Sequence, residues 1–164
     1  MKKSLNYEAK KLTEAAENFC DFISRLPAYV LLPREWGPKE ILAHLVYHHE
    51  LYVRLAEAQV SGKIKIPPQG RFRDLNAVAV AASQRVEVNE LLDRLRAANH
   101  RLLKLYKKFD PEKIHFAIKH GSKEWTLEAL VPRIGGHIRA HLSKLRKEFD
   151  SNTTARSIHE ERVM

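Results

Sequence analysis

Leu5, Leu12, Ala16, Phe19, Ile23 and Leu26 recur close to the period of an α-helix, and Pro27 ends the run. Apolar residues spaced in this way have to bury a stripe, so residues 4 to 26 are expected to form a first helix with one face in a core. After the Pro-rich connector PAYVLLPREWGPKE, Gly37 suits an N-cap, Pro38 a first helical position and Glu40 the positive end of the helix dipole. A second helix is therefore expected from 38 to about 60.

The loop SGKIKIPPQGRFR leads to Asp74, a candidate N-cap for a third helix that carries the small residues NAVAVAASQ. The β-branched VEV at 86–88, with Asn89 as a possible second cap, predicts a kink or break, so this stretch is one bent helix or two. In KIHFAIKHGSKEWTL the alternation of Ile114, Phe116 and Ile118, the turn at HGS and Trp125 fit either a small hairpin or an ordered loop. Thr126 can cap a last helix running to about 149, with Pro132 bending its first turns. Beyond Asp150 no apolar period remains, and residues 151–164 are expected to be a mobile tail. With 164 residues and no internal repeat, one domain over 1–150 is expected. Its fold class is all-α, a four-helix bundle with a long connection before the last helix.

Composition excludes several classes. No apolar run approaches the roughly 20 residues of a membrane span. The lysines of MKKSLNYEAKKLTEA are followed by no apolar segment, which argues against a secretory leader. Cys20 is the single cysteine, which excludes an internal disulfide and any CxxC metal knuckle, and it fits a small core residue in a cytoplasmic protein. The net charge of +9 would suit a nucleic-acid partner, but Arg94, Arg96, Arg101, Lys104, Lys107 and Lys108 alternate with leucines as on a solvated helix face. No nucleic-acid motif accompanies them, so no nucleic acid is expected as a partner.

The chemistry lies in the histidines. In GGHIRAHLSKL, His137 and His141 are four apart and within about 40° of each other around a helix, beside Ile134, Ile138 and Leu145. In ILAHLVYHHELYV, His44 and His48 repeat the spacing, with Leu51 and Leu55 continuing their stripe. Imidazoles at i and i+4 have Cβ atoms about 5 to 6 Å apart, from which two ring nitrogens can converge on one cation. An interior imidazole otherwise has to find a partner for each nitrogen, at a desolvation cost of about 1 to 3 kcal/mol where it fails. Metal binding and the alternative, in which each ring bonds a carbonyl or sits at the wet end of the bundle, both fit this spacing. His49, His100, His115, His120 and His159 lie off the stripes or in loops and termini and are expected to be exposed.

The segment WGPKEILAHL from Trp36 resembles the second helix of the DinB/YfiT-like superfamily of four-helix-bundle metalloproteins, and LEALVPRIGGHIRAHLSKLRKEF resembles its last helix with a His-x-x-x-His pair. The stretch DLNAVAVAASQRVEVNELLDRLRAANHRLL is similar to the third helix of its thiol-dependent members. The resemblance implies an often dimeric bundle that holds a divalent ion, zinc or nickel, on His44, His137 and His141. His48 matches no ligand position, and one turn beyond His44 it is expected to face the cavity and touch the site or a substrate. Relatives use the metal to bind a low-molecular-weight thiol such as bacillithiol or mycothiol and transfer it to a small electrophile.

Three neutral imidazoles leave the ion doubly positive, so a coordinated thiol or water becomes acidic near neutral pH. Gly135 and Gly136 would give a substrate access to the backbone or let two helices approach closely. Arg133 and Arg139 are candidates to pair with a thiol's carboxylates. The expected function is therefore a metal-dependent transferase or detoxifying enzyme acting on a small molecule, possible as a homodimer. The alternatives are a bundle that sequesters a small molecule without turnover and a structural bundle whose histidines bind nothing.

Overall fold

The computed structural model describes the backbone of residues 2–163 and the side chains of residues 3–150. The protein is all-α with one small hairpin. Its helices are α1 (Lys2–Ser24), α2 (Pro38–Val60), α3 (Phe72–Ser83), α4 (Val88–Lys108) and α5 (Leu127–Val163), and strands β1 (His115–Ala117) and β2 (Glu124–Thr126) precede α5.

The helix ends follow the local chemistry. The last turn of α1 tightens, with the Arg25 and Leu26 N–H groups bonding the Phe22 and Ile23 carbonyls before Pro27 stops the chain. α2 starts where expected, with Gly37 at the N-cap and Pro38 in the first turn. Glu40 Oε1 reaches back to accept the Arg34 backbone N–H at 2.9 Å. The third stretch is two helices, and both starts differ from expectation. Arg71, rather than Asp74, is the N-cap of α3, and Glu87, rather than Asn89, that of α4. Neither makes a side-chain cap bond. Asp74 and Glu90 instead lie in the first turns, where a carboxylate favours the dipole without capping.

Residues 115–126 form a hairpin, with His115 opposite Thr126, Phe116 opposite Trp125 and Ala117 opposite Glu124. Gly121, with φ of 76°, makes the turn. Thr126 Oγ1 accepts the Ala129 N–H at 3.2 Å and so caps α5 as expected. α5 passes the expected stop at 149 and reaches Val163. The expected mobility of 151–164 falls on side chains outside the described residues.

α2 packs most extensively on α4, and α1 on α5 and α4, whereas α2 meets α5 over a short region and α3 rests on α2. Between the long helices Phe19, Ile23, Leu42, Leu55, Leu95 and Tyr106 are fully buried. Each such side chain contributes roughly 1.5–3 kcal/mol of transfer free energy. Gly135 is buried against α1, where a Cβ would lie 3.8 Å from the Leu12 Cα, an ordinary contact distance, so the packing of α5 on α1 does not itself demand a glycine there.

The three arginines of α4 are paired across the helix seams. Arg94 binds Glu50 of α2 through two bonds of 2.8 and 2.7 Å, Arg101 binds Glu57, and Arg96 reaches Glu17 of α1 at 3.2 Å. These side chains are 36 to 59% exposed, so each pair is worth at most about 1 kcal/mol. Cys20 is buried, and burial raises its thiol to about 11, which leaves it a core residue without nucleophilic character. Among the described residues no helix is long and apolar enough to cross a membrane.

Candidate metal centre

Three of the four stripe histidines meet. His44 is buried on α2, while His137 and His141 project from α5, the first exposed and the second half-buried. His44 Nε2 lies 3.4 Å from His137 Nε2, and His141 Nε2 lies 2.9 Å from the same atom. The three ligand atoms all fall within 4.8 Å of one another, and the group could hold a metal ion. In a tetrahedral site with metal–nitrogen bonds of about 2.0–2.1 Å, ligand nitrogens lie about 3.3 Å apart, so the 2.9 and 3.4 Å separations lie near the spacing such a site needs.

The far side of His44 decides which of its nitrogens is available. Its Nδ1–H donates to Asn76 Oδ1 at 3.0 Å, which leaves the Nε2 lone pair facing the other two rings. The same oxygen accepts the His48 Nε2–H at 2.9 Å. Asn76 belongs to α3, so the short helix that rests on α2 supplies the group behind the site. Trp36 stands over the cluster, its ring 5.5 Å from that of His44 and 6.4 Å from that of His141. It does so with φ of 52°, a left-handed conformation that costs a non-glycine residue roughly 1–2 kcal/mol and that is found preferentially at functional sites.

Each ring is held neutral. Burial, with a smaller contribution from the neighbouring imidazoles, lowers His44 from 6.5 to about 3. Burial, then His137 and Lys144, lowers His141 to about 4, and burial also lowers His137 and His48. Neutral rings keep their lone pairs at physiological pH, as a metal site requires.

Two expectations about histidines need correction. His48 is buried and bonded to Asn76, with Nδ1 unpartnered, so it touches the site from behind and does not face an open cavity. His49 is 1% exposed rather than at the surface. α2 is covered by α4 as well as by α3 and α5, so positions off the His44 stripe are also interior. His100, His115 and His120 are exposed as expected, His115 paired with Glu124 at 3.0 Å, and the His159 side chain lies outside the described residues.

His49 sets a pH dependence that is independent of any metal. Its Nδ1–H donates to the Leu45 carbonyl at 3.2 Å, and burial lowers its pKa from 6.5 to about 4. The unfolded chain takes up a proton as the pH falls through 6.5, whereas the folded protein does not until about 4, so stability is lost across that window. Between pH 7 and pH 5 the metal-free protein is expected to lose about 2 kcal/mol through this residue. Urea denaturation at the two pH values measures the loss, and in a His49→Gln variant this contribution should vanish.

On the far side of Trp36 and Asn76 from the histidines, none of which lines it, opens a cleft of about 920 Å³ whose walls also include Arg34, Arg73, Ala77 and Val80. Its cations are thus Arg34 and Arg73 instead of the expected Arg133 and Arg139. Arg133 stacks on Trp125 at 4.0 Å, and Arg139 lines a separate groove between α1 and α5. Both point away because only one face of α5 carries the histidines. Asn76 and Trp36 gave no periodic signal in the sequence; the one hint for Asn76 was a polar residue opening a run of small apolar ones.

Fold and site together define an all-α protein with a three-histidine cluster able to hold a metal ion. No family model, curated protein or solved structure matches the chain.

Proposed function

We propose that the protein is a metal-dependent enzyme of the DinB/YfiT-like kind, a four-helix bundle of α1, α2, α4 and α5 that uses a divalent ion on His44, His137 and His141 to act on a small electrophile. The observation that carries this reading is the convergence of three neutral imidazole nitrogens from α2 and α5, with Asn76 and Trp36 standing between them and an open cleft. Zinc or nickel suits that donor set. A bound ion would supply a Lewis acid that lowers the pKa of a coordinated thiol or water to near neutrality.

The chain's own residues do the rest. Asn76 fixes the His44 tautomer, Trp36 covers one side of the cluster, and the apolar wall of Ala77 and Val80 gives a small molecule a surface to pack against. A low-molecular-weight thiol such as bacillithiol or mycothiol is the co-substrate this reading favours.

Protein purified without an affinity tag and reconstituted with zinc or nickel is expected to bind one ion per chain. It should then conjugate one of these thiols to a model electrophile at a rate that falls to background when the ion is removed. A chain that retains no stoichiometric ion would overturn the proposal. Metal binding without turnover across a panel of thiols and electrophiles would replace it with sequestration of a small molecule.

A further inference from the structure

Asn76 has more hydrogen-bonding capacity than the histidines use. Its Oδ1 accepts from His44 Nδ1–H and His48 Nε2–H, which fills both lone pairs of that oxygen. Its Nδ2 carries two further protons, and among the described residues no protein acceptor takes either of them. The residue is half-buried and lines the cleft of about 920 Å³, which meets the three-histidine cluster through Asn76 itself and Trp36. With the oxygen committed, the amide nitrogen is the polar atom that Asn76 has left to offer there.

We infer that Asn76 acts on both sides of the site: its carbonyl oxygen orients His44 for the metal, and its amide N–H receives an acceptor oxygen of the ligand. The inference rests on the metal-site reading above and adds a ligand class to it. The favoured ligand carries a carbonyl or carboxylate oxygen close to its metal-binding atom, so that one end meets the ion and the other meets Asn76. Such a pair of contacts fixes orientation as well as affinity, since a ligand that reaches round the His44 ring but lacks the oxygen leaves the amide N–H without that partner.

The orientation of the amide also decides whether the site is competent. Were Nδ2 to face the two rings, it would donate to His44 Nδ1, the ring proton would move to Nε2, and that nitrogen could no longer ligate. Asn76 is thus a positioning residue for His44, and its replacement by aspartate separates its two roles. Aspartate keeps an acceptor for both rings but has no N–H to give, whereas leucine keeps neither.

Three measurements test this. In the metal-free protein, 15N chemical shifts should place the His44 proton on Nδ1 in the wild type and in Asn76→Asp, and show mixed tautomers in Asn76→Leu. Affinity for cobalt(II), followed by its visible absorption, should hold or tighten in Asn76→Asp and fall about 10- to 100-fold in Asn76→Leu. On the cobalt-loaded protein, 2-mercaptoacetamide should bind about tenfold more tightly than 2-methylpropane-1-thiol, a similar shape without the acceptor. Asn76→Asp should erase that preference while binding the second thiol in both cases through the same ion, so that the added charge cancels in the ratio.

An Asn76→Leu protein with the wild-type tautomer and cobalt affinity would overturn the positioning role. Equal binding of the two thiols by the wild type, or an unchanged preference in Asn76→Asp, would overturn the donor role. A wild-type protein that takes up no cobalt overturns the metal reading and the ligand class together, whereas the tautomer measurement needs no metal and still decides what Asn76 does to His44.

Discussion

Replacing His137 by alanine is expected to lower the affinity for zinc or nickel by on the order of a hundred- to a thousandfold. Structural zinc sites with four ligands gain roughly 10–16 kcal/mol, which averages to about 3 kcal/mol per ligand, and a three-ligand site has none to spare. His137 gives the cleanest version because it is exposed, so alanine there leaves little cavity and the fold should be unaffected. His141→Ala should behave alike. His44→Ala should lose at least as much affinity, and, as a buried residue with Asn76 behind it, some stability too. His100→Ala and His120→Ala, at exposed positions away from the cluster, should bind as the wild type does. Competition titration against a chelator of known affinity reads all five. Equal affinities across the set would mean that the ion, if it binds, binds elsewhere.

The second large effect is on heat stability. An ion that binds the folded chain and not the unfolded one stabilises it by about 4 kcal/mol when its free concentration is a thousand times the dissociation constant. For a chain of this size that corresponds to roughly 10 °C or somewhat more in Tm. Thermal melts with and without a slight excess of zinc should show the rise, a chelator should reverse it, and His137→Ala should abolish it. The effect should weaken below pH 5, where His141 and then His44 begin to take up protons that compete with the ion.

The extent to which this molecule could be read from its residues differs from place to place for physical reasons. α2 was legible to the residue because Gly37 and Pro38 have strong conformational preferences. The starts of α3 and α4 were not, since Arg71 and Glu87 cap only through their main chain, and nothing in those side chains marks them. His137 and His141 were legible as a pair because residues four apart share a helical stripe, but the same spacing marked His48 with His44, and the choice among the four came from the family resemblance alone. That His44, His137 and His141 converge required the packing of α2 against α5, which no spacing encodes. Asn76 was invisible for a related reason: a lone amide 32 residues from His44 acquires its role only when α3 folds back onto α2. His49 was misplaced because a stripe argument assumes one dry face, and α2 is enclosed on several sides.

The sparse contact between α2 and α5 has one more consequence. His44 belongs to one helix and the His137/His141 pair to the other, so the three rings face each other across the sparsest of the seams between the long helices α1, α2, α4 and α5. A small outward swing of α5 would pull the rings apart while the apolar interior between α1 and α4 stayed shut. The off-rate of an ion held there would then be expected to follow how often that seam opens.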